Sequence, residues 1–416
     1  MFKLGLNQAA PEVMHVDLNS CFAMVEQQAN PLLRGRPVGV TNRLVKNSIL
    51  IAASYEAKAH GIGVGTTAEQ ARAICPDIVI VETDPPKYIH TYRTFFNILK
   101  SYSPDAQMKS VDEGVIDFKG TRVVNSRPLT EIGLEIKQRL QQDLGEWMTC
   151  NIGIAPNRWL AKLAAGLNKP NGMDVITHHN LASTYGKLEL LDFPGINRRY
   201  KARLNLAQIF TPTDFFAADE WNLTKEVFYS ILGHLWYARM RGWEVDNYPT
   251  AIRSVGKQYV LPPKVRGNER ELGSILVKMC EMMGRRLRGK GLAAHGIFVG
   301  CWMEVGEFWH ARSKYKAKLY ATQDLARRAF ELFNQRPSGK IRTISVTCYS
   351  LTPAETSQQQ LFETDDVRRV RLSKFIDSLN DRYGEFSVMP GSMANSKSYV
   401  AEKIPFGSTR YFEYKH

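Results

Sequence analysis

Two short acidic clusters limit the folds open to this chain more than any other feature. They are Val13-Met-His-Val-Asp17-Leu-Asn19 and Ser110-Val-Asp112-Glu113-Gly114-Val-Ile-Asp117, each at the end of an apolar, β-prone run. A carboxylate at a strand end is costly to shield from water unless something neutralises it. Taken singly, Asp17 simply ends a strand and Asp112-Glu113 fit a hairpin turn. If the two strands pair, Asp17, Asp112 and Glu113 converge, and they repel one another without cations between them. Carboxylates gathered in this way hold a pair of Mg²⁺ ions for phosphoryl or nucleotidyl transfer.

The pattern around the clusters permits that pairing. Alternation and β-branched residues predict strands near 13–18, 38–41, 49–53, 78–81, 106–111, 115–118 and 149–154. Helical spacing predicts helices near 22–29, 67–74, 87–101, 129–143 and 157–166, with Pro31, Pro76 and Pro170 at their ends. With 87–101 as the first crossover, the core order is strand, helix, hairpin, helix, strand, the split βαβ order of a ferredoxin-like sheet. Residues 31–84 then interrupt the core as an insertion with its own short strands. Pro170-Asn-Gly172 reads as a turn leaving the core, and short helices follow from about 175 to 250. There Phe193-Pro-Gly-Ile196 enters a basic helix beginning Asn197-Arg-Arg-Tyr-Lys, a turn whose backbone N–H groups suit a phosphate.

At 416 residues the chain exceeds one compact core, and it carries a formal charge of +14. The location of that charge is more telling than its size. Between Arg253 and Thr352 there are nineteen Lys/Arg against seven Asp/Glu, whereas the first 252 residues and the tail are nearly balanced. A single basic module of this kind is the electrostatic footprint of a nucleic-acid partner. Its pattern predicts strand (254–261), helix (268–289), strand (295–303), helix (318–334) and strand (340–350). Cysteines 21, 75, 150, 280, 301 and 348 form no C-x-x-C pair, which points to reduced thiols rather than zinc or a disulfide framework. The absence of a membrane-length apolar run or signal-like start points to the cytoplasm. In the tail, Gln358-Gln-Gln-Leu361-Phe362 could place two apolar side chains in a partner's groove, and 365–383 reads as helix.

With these elements placed, the chain resembles the Y-family (translesion) DNA polymerases, of the bacterial polymerase IV type. The resemblance rests on Val16-Asp-Leu-Asn-Ser-Cys-Phe-Ala23, Asn30-Pro-Leu-Leu-Arg-Gly-Arg-Pro37, Ser54-Tyr-Glu-Ala-Lys58 with Gly61, Ser110-Val-Asp-Glu-Gly114 and Asn151-Ile-Gly-Ile154. It continues through Leu160-Ala-Lys-Leu-Ala164, Asn168-Lys-Pro-Asn-Gly172 and Phe193-Pro-Gly-Ile196. It implies an α+β multidomain fold: a ferredoxin-like palm (1–30 and 85–174) and a fingers insertion (31–84). A helical thumb with a helix-hairpin-helix-like element (175–250), an α/β little finger that binds DNA (253–352) and a C-terminal tail (353–416) complete it. It further implies low-fidelity, template-directed addition of dNMP to a primer 3′-OH with two Mg²⁺ ions, held by Asp17, Asp112, Glu113 and the Leu18 carbonyl. Tyr55, Lys58 and Lys162 match triphosphate-binding positions, and Phe22 matches a steric gate under the sugar that excludes a 2′-OH. Gly195, Arg198 and Arg199 match thumb contacts to DNA. Gln358, Leu361 and Phe362 lie where relatives carry a sliding-clamp peptide. The implied partners are primer–template DNA and dNTPs, with the protein acting as a monomer and no membrane involved.

Several positions depart from the family pattern. Asn19 stands where many relatives carry Asp, Lys58 where Arg is usual, and Ala52 in place of a hydroxyl residue. Gly114 replaces Ala and is expected to loosen its turn, and Asn197 replaces a glycine at the thumb turn. Two other readings compete. A catalytically silent, polymerase-shaped DNA-binding accessory would be expected to lose acidic ligands, and all three are present. A palm-fold nucleotidyl cyclase would need neither the basic module nor the Pro-Gly turn.

Overall fold

The computed structural model describes residues 4–121, 126–247, 252–354, 365–396 and 399–400. The chain separates into two compact units that divide near residue 250.

The first unit is built on a five-stranded sheet in the order β5-β6-β1-β7-β8. Its strands are β1 (Val13–Leu18), β5 (Gln107–Met108), β6 (Glu113–Asp117), β7 (Cys150–Ala155) and β8 (Met173–Val175). β1 lies between β6 and β7, antiparallel to both. The first four of these strands have the ferredoxin-like order read from the sequence. β8, parallel to β7, is an addition. The turn at 170–172 therefore leads into a fifth strand rather than out of the core. Met173-Asp-Val175 is too short a run for its alternation to stand out.

Because strand side chains alternate, β1 serves two cores at once. Met14, Val16 and Leu18 pack with Phe95, Ile98 and Leu99 of α4 (Pro85–Lys100) and with Ile132, Ile136 and Leu140 of α5 (Leu129–Leu144). Val13 on the other face joins Val115 and Ala155 beneath Trp159, Leu160, Leu163 and Ala164 of α6 (Arg158–Leu167). α6 sits so close to β7 that a Cβ at Gly153 would collide with the Ala161 carbonyl and the Ala165 amide. Gly114 lies inside β6, and Leu99 fills the space that a methyl group there would need. The loosened turn expected from this glycine is thus absent.

The insertion forms a three-stranded sheet in the order β3-β2-β4, from β2 (Val38–Thr41), β3 (Leu50–Ala53) and β4 (Val79–Glu82). The sequence reading missed a short helix, α2 (Tyr55–Ala59), whose first turn is capped by the Ser54 hydroxyl. Short helices follow β8, and Phe193, Phe215, Phe228 and Trp236 pack in one aromatic cluster with Trp159 of α6.

The second unit is a four-stranded antiparallel sheet in the order β11-β10-β12-β9. Its strands are β9 (Ser254–Val260), β10 (Leu292–Met303), β11 (Phe308–Leu319) and β12 (Ile341–Pro353). Two of its helices span Glu269–Gly289 and Thr322–Phe333. The helix expected from 318 begins at Thr322, and β11 precedes it. β11 alternates exposed Phe308, His310, Arg312, Lys314 and Lys316 with Trp309, Ala311 and Tyr315, which pack against the core. Its basic outer face hid the period of two. All six cysteines are buried free thiols, and the helix at Asp365–Tyr383 matches the expectation. No helix among the described residues is long and apolar enough to cross a membrane.

Since overpacking costs roughly 1–3 kcal/mol or more, Gly153→Ala should destabilise the protein by at least that much in chemical denaturation. An unchanged midpoint would contradict the close seat of α6.

Candidate active site

The antiparallel register places Asp17 directly opposite Glu113, and Asn151 opposite Asp17 on the other side. Opposed residues share a face, so Asp17 and Glu113 emerge together on the side covered by α6. His15, two residues before Asp17, shares that face. Ligand atoms of His15, Asp17 and Glu113 all lie within 4.8 Å of one another. Asp112 belongs to the same strand end, where its carbonyl accepts the Leu18 N–H at 2.8 Å. Being adjacent to Glu113, it projects differently: its carboxylate accepts a hydrogen bond from the Ser110 hydroxyl. Burial raises the Asp112 pKa, and repulsion from Asp17 and Glu113 adds to the shift against the Ser110 bond.

Lysines balance this partly buried pair. Lys162, which α6 carries over this face, bonds the Glu113 carboxylate, and Lys169 Nζ lies 3.0 Å from Asp17 Oδ1. Burial alone would push the Glu113 pKa up, but the His15 ring 3.3 Å away and the Lys162 ammonium hold it at about 2. Oxygen-rich carboxylate sets suit hard divalent cations. Asp17, Glu113 and Asp112 form such a set, one that needs positive charge beside it. His15 Nε2 is buried and lies 3.3 Å from Glu113 Oε2, which adds a nitrogen donor beside the carboxylates. These residues fit a divalent cation site.

Two elements bring further side chains to this end of the sheet. Phe22, on α1 (Cys21–Ala29), is buried and stacked on Tyr88 of α4, with ring centroids 4.4 Å apart. The Tyr88 hydroxyl in turn donates to Glu26 at 2.7 Å. From α2, Lys58 Nζ donates to Ser20 Oγ at 2.7 Å and lies over the Tyr55 ring. Burial lowers the Lys58 pKa, helped by Lys169 and opposed by Asp17. Tyr55 receives an N–H from Asn19 at 3.3 Å. The structure therefore brings Asp17, Glu113, Lys162, Tyr55 and Lys58 around one site, with Leu18 and Asp112 at its base and Phe22 on the following helix.

Gly195, Arg198 and Arg199 are exposed at the start of the helix Arg198–Leu206. Gly195 holds φ +100°, a conformation that favours glycine, as expected for the turn. Asn197 caps this helix by accepting the N–H groups of Arg199 and Tyr200, so those two amides are already used. Gln358, Leu361 and Phe362 lie outside the described residues.

His15 and Lys169 escaped the sequence reading. His15 was recoverable from the strand period of two. Lys169 precedes a turn read from Pro170-Asn-Gly172, and nothing in its spacing indicated that it would reach Asp17.

In metal-free buffer, Lys162→Ala should raise the Glu113 pKa toward the ordinary carboxylate range. A depressed carboxylate stabilises the fold above its unfolded pKa, and that contribution is lost as pH falls through its folded pKa. The wild-type contribution should decline progressively from the unfolded pKa down to about pH 2, and in the variant it should be smaller and its decline should end at higher pH. An unchanged Glu113 titration by NMR would show that Lys162 is not responsible.

Comparison with known proteins agrees with this architecture. Residues 16–166 match the impB/mucB/samB family, and residues 252–361 match the C-terminal domain of that family. The chain is 31% identical over 385 residues to DNA polymerase IV of Moorella thermoacetica, covering 90% of this chain and 94% of that protein. It is 30% identical over 389 residues to DNA polymerase IV of Pelotomaculum thermopropionicum, covering 91% and 94%. Among solved structures, a Y-family DNA polymerase chimera of Dbh and Dpo4 shares the fold with a TM-score of 0.68. That match has 24% identity and covers 81% of this chain and 98% of the other. The chain belongs to the Y-family of DNA polymerases, with bacterial DNA polymerase IV among its relatives.

Proposed function

We propose that this low-fidelity translesion DNA polymerase joins a dNMP to a primer 3′-OH at the strand end shared by Asp17, Asp112 and Glu113. The observation that carries this reading is the register that sets Asp17 against Glu113, with both carboxylates balanced by lysines. The family uses divalent cations. Here Asp17, Asp112, Glu113 and the Leu18 carbonyl are the proposed holders of two Mg²⁺ ions. When bound, such ions acidify the primer hydroxyl and neutralise the triphosphate.

The chain's own side chains do the rest. Lys162, Lys58 and Tyr55 bind the triphosphate by charge-assisted hydrogen bonds. Lys162 and Lys169 are free to exchange carboxylate partners for phosphate once the acidic cluster is neutralised otherwise. Phe22, backed by Tyr88, presents a flat ring where a 2′-OH would otherwise fit. Lys58 supplies a point charge rather than the bidentate fork an arginine would offer.

In domain terms, 1–30 with 85–174 is the palm, 31–84 the fingers, 175–250 the thumb and 253–352 the little finger. Gly195, Arg198 and Arg199 meet the DNA backbone through the open turn and the guanidinium groups, because Asn197 occupies two of the helix amides. The outer face of β11, with Arg312, Lys314 and Lys316, is the matching surface of the little finger. Gln358, Leu361 and Phe362 bind a sliding clamp, and the protein acts as a cytoplasmic monomer.

Primer extension with dNTPs and Mg²⁺ tests the central assignment. Metal-centred charge stabilisation is worth several kcal/mol, on the order of 10³-fold in rate. Wild type should extend the primer, and Asp112→Asn should lose at least that factor. Extension at the wild-type rate by the variant would refute the site. In the same assay Phe22→Ala should reduce discrimination against ribonucleotides by roughly tenfold or more. Unchanged discrimination would remove Phe22 as the gate.

A further inference from the structure

Asn19 is almost completely buried, 1% exposed, and its amide is the hub where three segments meet. Its Oδ1 accepts from Thr149 Oγ1 at 2.8 Å and from the Asn171 backbone N–H at 3.0 Å. Its Nδ2 donates to Asn151 Oδ1 at 2.7 Å and to the Tyr55 hydroxyl oxygen at 3.3 Å. Every donor and acceptor of the amide is therefore used.

The direction of these bonds is set by groups that have no choice. The Asn171 N–H can only donate, so Oδ1 of Asn19 must face it and Nδ2 must face Tyr55. Asn151 Nδ2 donates to the Asn168 carbonyl at 3.0 Å, which can only accept, so Asn151 Oδ1 must face Asn19. On the far side, the Lys58 ammonium can only donate to Ser20 Oγ. The Tyr55 oxygen receives a hydrogen bond from Asn19 Nδ2, which can only donate. Among the described residues no acceptor takes the hydrogen it carries.

We propose that Asn19 is a positioning residue for the incoming nucleotide, holding the Tyr55 hydroxyl as an outward donor for a triphosphate oxygen. The inference rests on the reading of Tyr55 as a triphosphate contact. A carboxylate at position 19 would reverse the arrangement. One oxygen could still accept from Asn171 and Thr149. The other could only accept, so it would lose Asn151 as an acceptor partner and draw the Tyr55 hydrogen inward. Asn19→Asp keeps the shape of the residue while removing the outward donor.

The test is a double-mutant cycle on the full chain with Asn19→Asp, Tyr55→Phe and both together. Two quantities are read: KM for dNTP in primer extension, and Kd for dNTP on a primer lacking its 3′-OH, with Mg²⁺ present and no chemistry possible. Loss of one hydrogen bond to a charged oxygen is worth roughly tenfold. Each single variant should raise both constants by about that factor, and the double variant should be no weaker than Tyr55→Phe alone. Misfolding of part of a sample lowers kcat and leaves KM and Kd unmoved, so it cannot imitate this result. Three outcomes overturn the proposal. Wild-type dNTP binding by Asn19→Asp, or effects that multiply to roughly a hundredfold in the double variant, leaves the Tyr55 contact standing while removing Asn19. A wild-type Kd for Tyr55→Phe would remove both.

Discussion

The pairing of β1 with β6 at the centre of the first sheet is the constraint on which the rest of the structure depends. A slip of one residue would turn Asp17 to the opposite face and send Met14, Val16 and Leu18 out of their core. The apolar residues of β1 therefore enforce the register that brings Asp17 and Glu113 together. Burial of those carboxylates is tolerable only because lysines stand against them. Lys162 arrives on α6, and α6 can lie close to the sheet because Gly153 has no side chain.

The same end of the sheet gathers its other groups by equally local means. The turn at 168–172 is tied to Asn19 and Asn151 by its own main-chain groups, which brings Lys169 to Asp17. The Ser54 cap starts α2 where Tyr55 and Lys58 reach Asn19 and Ser20. The Phe22 ring is held in place by Tyr88, whose hydroxyl is anchored on Glu26. Palm and insertion are thus joined by polar contacts at the site itself, not only by apolar packing elsewhere.

Much of this was legible in the sequence because the informative signals were local or periodic. The β1 and β6 runs, the two long crossover helices and the basic content of the second unit all follow from patterning. Reading failed where a tertiary partner defines the element. β8 is too short to show alternation and exists because β7 offers an edge. β11 shows alternation, but its outward residues are basic, so the stretch between 303 and 318 carried no strand prediction. Asp112 carries the same formal charge as its neighbours, yet only the structure reveals that Ser110 holds it while His15 joins Asp17 and Glu113. The hydrogen-bond directions around Asn19 depend on main-chain groups far away in sequence, and no spacing could have revealed them.

The most direct measurement of the central claim is anomalous diffraction from crystals of the protein with primer–template, dNTP and Mn²⁺. Two anomalous peaks within ligand distance of Asp17, Asp112 and Glu113 are predicted, with Lys162 and Lys169 withdrawn from the carboxylates. Peaks elsewhere, with both lysines still paired to Glu113 and Asp17, would contradict the account.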